Sequence, residues 1–272
     1  MYDAAQACDL RVQAMVLLCS PVPVAKAEGT MALRESWGQQ SVTLDTRQVL
    51  SPSCAVPGRP ARPLLVPPRE VGRRAMNTIE GRAALIHALA HIEFNAINLA
   101  LDAIWRFADM PEAFYADWLQ VAAEEALHFS LLSEHLQSLG FAYGEFNAHD
   151  SLWEMAEKTC GDLLARMALV PRTLEARGLD ATPGVRHKLA QAGDMKAAGI
   201  LDIVLRDEIG HVEIGNRWYR WLCEQRGLDA VSTYPVLAQT YKAPVLKGPF
   251  NLEARRQAGF SEDELTGLST WV

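Results

Sequence analysis

Residues 124–128 read Glu-Glu-Ala-Leu-His, and residues 207–211 read Asp-Glu-Ile-Gly-His. Each stretch is an acidic residue followed by Glu-x-x-His. In an α-helix, positions i and i+3 lie on one face, so the Glu and the His of each motif point the same way. A carboxylate beside an imidazole is a ligand pair that transition metals bind. The two stretches therefore predict two helices with metal ligands on one face, and these ligands are Glu125, His128, Glu208 and His211.

A lone glutamate precedes each motif at nearly the same distance. Glu93 lies 32 residues before Glu125 (125 − 93), and Glu175 lies 33 residues before Glu208 (208 − 175). If the chain turns at Asp109, Glu93 and Glu125 are each 16 residues from the turn and lie at the same depth of an antiparallel helix hairpin. The second half of the pattern is less regular, because Glu175 falls close to the predicted end of its helix.

Four glutamates and two histidines facing one helical core would be unstable as bare charge. Two metal cations would neutralise them, as in di-metal bundles that take one Glu from each of two helices and Glu-x-x-His from each of the other two. A single Glu-x-x-His is common on solvated helix faces, so the repeat is what favours metal binding. The predicted set has Glu93 and Glu175 as terminal ligands and Glu125 and Glu208 as bridges. Oxygen and nitrogen ligands of this kind bind several metals, so the ligand chemistry by itself leaves iron, manganese and zinc open.

The acidic residues that open the two motifs are candidates for a supporting role. Glu124 and Asp207 are each placed to accept the second ring N–H of the motif histidine four residues later, which would fix its tautomer. The alternative for each is an exposed acid. The remaining histidines are expected to be ordinary polar or capping residues: His87, His91, His135, His149 and His187.

Helix signals recur along the chain and strand-like alternation is nearly absent, so the predicted class is all-α. Asp109 with Glu112 three residues later resembles a capping box. Gly161 and Pro171 predict a break or kink in the third helix. The predicted helices are Glu80–Phe107, Asp109–Gly140, Asp150 to near Gly178, a short one around Gly184–Ala192, and a long one from Asp194 to Gly227.

Composition divides the chain into four predicted regions. Residues 1–40 form an N-terminal helical extension in two pieces, and residues 41–80 form a proline-rich strap. Residues 81–227 form the four-helix di-metal bundle, and residues 228–272 form a C-terminal extension that packs on it. The strap and the extension either cover the metal site and shape a substrate channel, or bury helix faces and mediate dimer contacts.

Overall composition bears on nucleic-acid binding, on the cellular compartment and on membrane insertion. The formal charge of −7, from 26 basic and 33 acidic residues, argues against the clustered positive charge that nucleic-acid binding needs. The five cysteines form no CxxC pair and are odd in number, so a disulfide framework is not expected and the cytoplasm is the predicted compartment. No segment is expected to span a membrane, since the nearest candidate, Val12–Ala25, is interrupted by Pro21 and Pro23.

The ligand pattern resembles that of the ferritin-like di-iron carboxylate superfamily. More closely, the chain resembles an uncharacterised bacterial family of ferritin-like proteins known only as a domain of unknown function, and distantly the di-iron tRNA hydroxylase. Besides the ligand motifs, the matching runs are Pro-Gly-Arg-Pro at 57–60, Ala-His-Ile-Glu at 90–93, Asp-Met-Pro-Glu-Ala-Phe-Tyr at 109–115, Leu-Glu-Ala-Arg-Gly-Leu-Asp at 174–180, Arg-Asp-Glu-Ile-Gly-His at 206–211 and Pro-Phe-Asn-Leu-Glu-Ala-Arg at 249–255.

The resemblance implies a ferritin-like four-helix bundle with N-terminal helices, a proline-rich strap and a C-terminal extension. The first functional hypothesis is an O₂-dependent di-iron oxidoreductase that acts on a small-molecule substrate with an external electron donor. The alternatives are an iron-handling or peroxide-scavenging protein and a non-redox manganese or zinc site. A monomer or homodimer is expected, and tRNA is the one nucleic-acid partner that the resemblance leaves open. No catalytic residue beyond the metal ligands is predicted.

Overall fold

The computed structural model describes residues 8–72 and 74–270. Apart from two isolated β-bridges, the regular structure of these residues is helical, which confirms the all-α class. The chain divides between Asp150 and Ser151 into two compact units, each described by itself below. The division falls inside the stretch predicted as one bundle, residues 81–227.

The first unit is built on a long helix hairpin. Its helices are α1 (Leu10–Cys19), α2 (Pro23–Gly38), a 3₁₀ turn (Pro68–Glu70), α3 (Ile79–Arg106) and α4 (Glu112–Ser138). Two helices divided near Ser20–Pro23 were expected before residue 40, and α1 and α2 confirm them. The Thr78 hydroxyl caps α3 by accepting from the Gly81 N–H at 3.0 Å. Residues of α3 and α4 pack together through an apolar interior in which the rings of Phe94 and Phe129 lie 5.5 Å apart.

The turn between α3 and α4 differs from the predicted capping box. Asp109 lies in the left-handed region at φ 58° and donates its N–H to the carbonyl of Thr46 at 2.7 Å. The N-cap of α4 is Pro111, which makes no side-chain cap hydrogen bond. Asp109 therefore marks the turn as expected, but its role as the cap was wrong because its backbone conformation removes it from the first turn of α4.

Helix α3 is long and apolar enough to contradict the expectation that no segment could span a membrane. By length and composition Ile79–Arg106 could cross a membrane, contrary to the prediction that no segment would qualify. Its most apolar window is 72% buried inside the protein, and its buried face carries polar side chains such as Asn95, Asn98 and Asp102. A helix of this kind is typical of a protein core that holds a polar site.

The proline-rich strap is pinned to the helices of the first unit by hydrogen bonds. Arg11, fully buried on α1, donates to the carbonyls of Gln48 at 2.7 Å and Trp105 at 2.8 Å, so one guanidinium ties the strap to the carboxyl end of α3. Farther along, the N–H of Val66 donates to the Ala148 carbonyl at 2.8 Å. The strap supplies backbone partners for buried cationic side chains, which would otherwise be costly to bury.

Cysteine pairing corrects a second expectation. Cys19, at the end of α1, forms a disulfide with Cys54 in the strap, with Cα atoms 6.3 Å apart. Cys8 and Cys160 are exposed, and Cys223 is the buried free thiol among the described residues. The expectation of unpaired cysteines was therefore wrong for one pair, because the strap folds back onto α1. The cytoplasmic prediction thereby loses the support that the cysteines had given it.

The second unit contains a helical run that is longer than predicted. Its elements are α5 (Ser151–Lys158), α6 (Leu163–Leu169), a π-helical segment (Val170–Glu175), α7 (Ala176–Gln191), α8 (Met195–Gln225), α9 (Ala230–Thr240), α10 (Leu252–Gln257) and α11 (Glu262–Thr270). The predicted cap of α8 is confirmed, since the Asp194 carboxylate accepts from the Ala197 N–H at 3.0 Å. The break predicted at Gly161 is also present, between α5 and α6.

The π-helical segment explains why the predicted end near Gly178 was wrong. Pro171 has no N–H to donate, and the chain absorbs this by widening into a π turn instead of ending the helix. Helical structure then continues to Gln191 and includes the short helix expected around Gly184–Ala192. Glu175 thus lies 16 residues before Gln191 (191 − 175), and Glu208 lies 13 residues after Met195 (208 − 195). The two glutamates are therefore at similar distances from the turn between α7 and α8.

The C-terminal helices pack on α7 and α8 of the same unit. Asn216 of α8 donates to the Ala258 carbonyl at 2.7 Å, and the buried Arg255 pairs with Asp180 at 2.6 Å. An apolar cluster joins them, formed by Ala176, Leu179, Val212, Ala254, Ala258, Phe260 and Leu265. These contacts hold α10 and α11 against α7, which follows Glu175, and against α8, which carries Glu208.

Candidate metal centre

Three of the predicted ligands meet inside the first unit. Glu93 comes from α3, and Glu125 and His128 come from one face of α4. The Nδ1 atom of His128 lies 3.5 Å from Oε2 of Glu93 and 3.4 Å from Oε2 of Glu125. One potential ligand atom from each residue lies within 4.8 Å of the others. Glu93 and Glu125, each 16 residues from the turn at Asp109, therefore lie opposite one another on the two helices of the hairpin, as their equal spacing predicts.

Burial makes this cluster costly as it stands. Glu125 and His128 are fully buried, and Glu93 is 3% exposed. Burial raises the pKa of Glu93 from its ordinary 4.5 to about 8, and the charge of Glu125 adds to the effect. The protein keeps two carboxyl groups in an apolar interior where they oppose one another's ionisation.

The donor set fits a metal ion. Oε2 of Glu93 is buried and accepts no hydrogen bond from the residues that the structure describes. A buried carboxylate oxygen without a donor is destabilising unless something else neutralises it. Two carboxylates and an imidazole with ligand atoms this close together are a suitable set for iron, manganese or zinc. The cluster therefore has the ligand chemistry of a metal site, and one of its carboxylate oxygens, Oε2 of Glu93, has no hydrogen-bond donor among the described residues.

The second unit carries the matching residues. Glu208 and His211 lie on one face of α8, with Nδ1 of His211 4.0 Å from Oε2 of Glu208, and both residues are buried. A carboxylate and an imidazole on one helix face are a ligand pair that transition metals bind. Glu175 is half-buried at the end of the π-helical segment. A Cβ built on Gly178 of α7 would lie 3.9 Å from Cδ of Glu208, so the helix after Glu175 passes beside the Glu208 carboxylate.

The two acids proposed to support the histidines have partners on their own helices. Glu124 accepts a hydrogen bond from Gln120 at 3.1 Å on the exposed side of α4. Asp207 accepts from the neighbouring Arg206 at 2.8 and 3.0 Å. Their contact with the ring nitrogens of His128 and His211 stays a prediction.

A buried polar network beside Glu93 was missed by the sequence reasoning. His91 lies with Nδ1 2.8 Å from the Tyr143 hydroxyl and Nε2 2.9 Å from the Asn95 amide, and His87 accepts from the Gly144 N–H at 2.9 Å. Burial lowers the pKa of both histidines to about 4. They were expected to be ordinary polar or capping residues, and instead they are buried and neutral. Their spacing at 87, 91 and 95, one turn apart on the face of an apolar helix, was the available signal.

Comparison with known proteins places the chain in a family. The family model described as "Protein of unknown function (DUF455)" matches residues 19–266. A relative from Haemophilus influenzae, described as an uncharacterized protein, is 52% identical over 233 residues, which cover 83% of this chain and 81% of the relative. No solved structure matches the chain. The matched region includes every predicted ligand and nearly all of both units, and the chain belongs to the DUF455 family.

Proposed function

We propose that this protein is a di-iron carboxylate protein of the ferritin-like type, with a four-helix bundle that binds two metal ions through Glu93, Glu125, His128, Glu175, Glu208 and His211. The observation that carries the proposal is the buried Glu93–Glu125–His128 cluster, whose two carboxylates and one imidazole offer ligand atoms within 4.8 Å of one another. The repeat of the same pattern as Glu175 with Glu208-x-x-His211 supports a second ion.

The roles of the side chains follow from their chemistry. Glu93 and Glu175 would be terminal ligands, Glu125 and Glu208 would bridge, and each histidine would bind one ion. Because burial and Glu125 keep the pKa of Glu93 near 8, metal binding at neutral pH must displace a proton from this pair. Two of the buried ligands have a buried aromatic neighbour in the sequence, Phe94 after Glu93 and Phe129 after His128, and the two rings lie 5.5 Å apart.

We propose an O₂-dependent oxidoreductase of the hydroxylase or oxidase type as the activity. Two ferrous ions would supply electrons for the reduction of O₂, and an external donor would reduce them again. The protein's own contribution is a set of ligands of which all but the half-buried Glu175 are buried in the helical interior. The substrate class proposed is a small organic molecule.

Oxygen consumption by the iron-loaded protein tests the activity. Protein loaded with ferrous ion without oxygen is mixed with air-saturated buffer and a chemical reductant, and O₂ uptake is followed with an electrode. We expect repeated turnover that is lost in Glu208→Gln and retained in Glu224→Gln, an exposed glutamate on the same helix. Loaded wild-type protein that consumes no O₂ beyond the reductant blank would contradict the oxidoreductase proposal while leaving metal binding intact.

A further inference from the structure

The second unit contains a cavity that none of the predicted ligands lines. Its volume is about 310 Å³, and its walls come from α9, the segment after α9, and α11, with one side chain from the π-helical segment. Apolar side chains predominate, among them Val231, Pro235, Ala238, Val245, Phe260 and Leu268. Voids in protein interiors are seldom larger than a water molecule, and small-molecule sites begin at about 300 Å³.

The charged group at the cavity wall is already neutralised. Arg172 is buried and pairs with Glu264 at 2.5 Å and with the Asn216 amide oxygen at 2.7 Å. Its guanidinium also lies over the rings of Tyr234 and Phe260 at 5.1 and 4.7 Å. The one other acid in the lining is Asp263, which is exposed. An anionic ligand would therefore meet a guanidinium whose charge is paired with Glu264, although its Nε has no hydrogen-bond partner, and the described lining carries two acids against one cation.

The shape of the cavity is set by the aromatic and branched side chains that line it. Tyr234 is held by the Thr173 hydroxyl at 2.9 Å, so the wall next to the π-helical segment is fixed. Val245 is 66% exposed and Val231 is 46% exposed, so the apolar lining reaches the surface and a molecule can enter from solvent. An apolar surface of this kind, open and concave, is stabilised when an apolar molecule replaces its water.

We propose that this cavity is a binding site for a small, uncharged, predominantly aromatic or branched apolar molecule. The site is formed within the second unit by residues that are not predicted metal ligands, so the proposal does not depend on the metal centre. Occupancy would be coupled to the π-helical segment through Tyr234 and Thr173.

Two fluorescent probes with one scaffold test the preference for an uncharged ligand. N-phenyl-1-naphthylamine is neutral, and 8-anilinonaphthalene-1-sulfonate carries the same two ring systems with a sulfonate. Both are titrated into the full-length chain, with and without a chelator. We expect saturable one-to-one binding of the neutral probe. The dissociation constant of the sulfonate should be at least about tenfold higher, because its charge would be buried without a partner. Equal or tighter binding of the sulfonate would overturn the proposal.

Substitutions within α9 locate the binding. Ala238→Trp should fill the cavity and abolish binding of the neutral probe. Val236→Trp introduces the same side chain at a position that is 61% exposed and outside the lining, and it should leave binding unchanged. Leu246→Trp, in the segment after α9, is the second filling variant should Ala238→Trp melt early by circular dichroism. Neutral-probe binding that survives in a folded filling variant, or that is absent from the wild type, would show that the cavity is not the site.

Discussion

Glu93 lies in an environment far from that of an ordinary, solvent-exposed glutamate. It is nearly fully buried, it faces Glu125, and its pKa is raised to about 8. In the metal-free protein, the folded chain therefore holds a proton that the unfolded chain releases above about pH 4.5. The contribution of this group to the unfolding free energy therefore falls as pH rises from about 4.5 to 8, and it levels off above that because Glu93 is then ionised in both states.

Glu93→Gln tests this at the residue scale. The variant cannot ionise, so we expect the decline in unfolding free energy between pH 5 and pH 8, at most about 1.4 kcal/mol per pH unit, to flatten in chelator-treated protein. Urea unfolding at several pH values is the measurement. Glu134→Gln, an exposed glutamate on α4, should retain the wild-type slope. A wild-type slope in Glu93→Gln would contradict the assignment of the proton to this cluster.

How far the residues were predictable depended on whether their chemistry repeats in the sequence. Glu125, His128, Glu208 and His211 form a repeat that survives any error in helix boundaries, because i to i+3 spacing is local. His91 belongs to no repeat, and its partner Tyr143 lies 52 residues away (143 − 91). The spacing of His87, His91 and Asn95 marks one face of α3, but the return of a loop to that face has no local sequence signal, so the partners of the histidines had to be seen in the structure.

At the scale of elements, the π-helical segment at Val170–Glu175 is the feature that positions Glu175. The sequence predicts a break or kink at Pro171, because proline usually interrupts a helix. A widened π turn is another way for a helix to accommodate proline. The segment packs closely against α8. A Cβ built on Gly215 would lie 2.5 and 2.6 Å from the side-chain carbons of Pro171, closer than carbon atoms approach in proteins.

Gly215→Ala is therefore expected to destabilise the protein by about 1–3 kcal/mol, as overpacked core substitutions do. Gly199→Ala is the matched control on the same helix, since a Cβ there meets nothing within 4 Å. That control should be neutral or stabilising by up to about 1 kcal/mol, because alanine favours a helix over glycine. Thermal or urea unfolding compares the two, and equal stabilities for both variants would contradict the close packing of α8 on the π-helical segment.

At the scale of the whole molecule, the strap is joined to the helices by a covalent bond as well as by hydrogen bonds. The Cys19–Cys54 disulfide closes a loop with a sequence separation of 35 residues. By loop-closure entropy, Cys54→Ser should lower the unfolding free energy by about 3–4 kcal/mol. Cys160→Ser replaces an exposed free thiol and should have little effect. Dithiothreitol should lower the melting temperature of wild-type protein and leave that of Cys54→Ser unchanged, and a reductant effect of equal size in both proteins would contradict the pairing.

The two compact units also share the predicted ligands evenly. Each unit contributes one isolated glutamate and one Glu-x-x-His motif from its own helices. Helix periodicity and capping signals were sufficient to predict both ends of α3, α4 and α8 to within three residues. The disulfide and the division at Asp150 were not predictable, because they depend on contacts between distant parts of the chain.

The number of iron ions bound per chain tests the central proposal most directly. Protein loaded with ferrous ion without oxygen and freed of excess metal is analysed by inductively coupled plasma mass spectrometry. We expect two iron ions per wild-type chain, two for His187→Ala at an exposed histidine, and one or fewer for His128→Ala. Wild-type protein that binds fewer than two ions, or a folded His128→Ala that still binds two, would contradict a di-metal centre built from these six ligands.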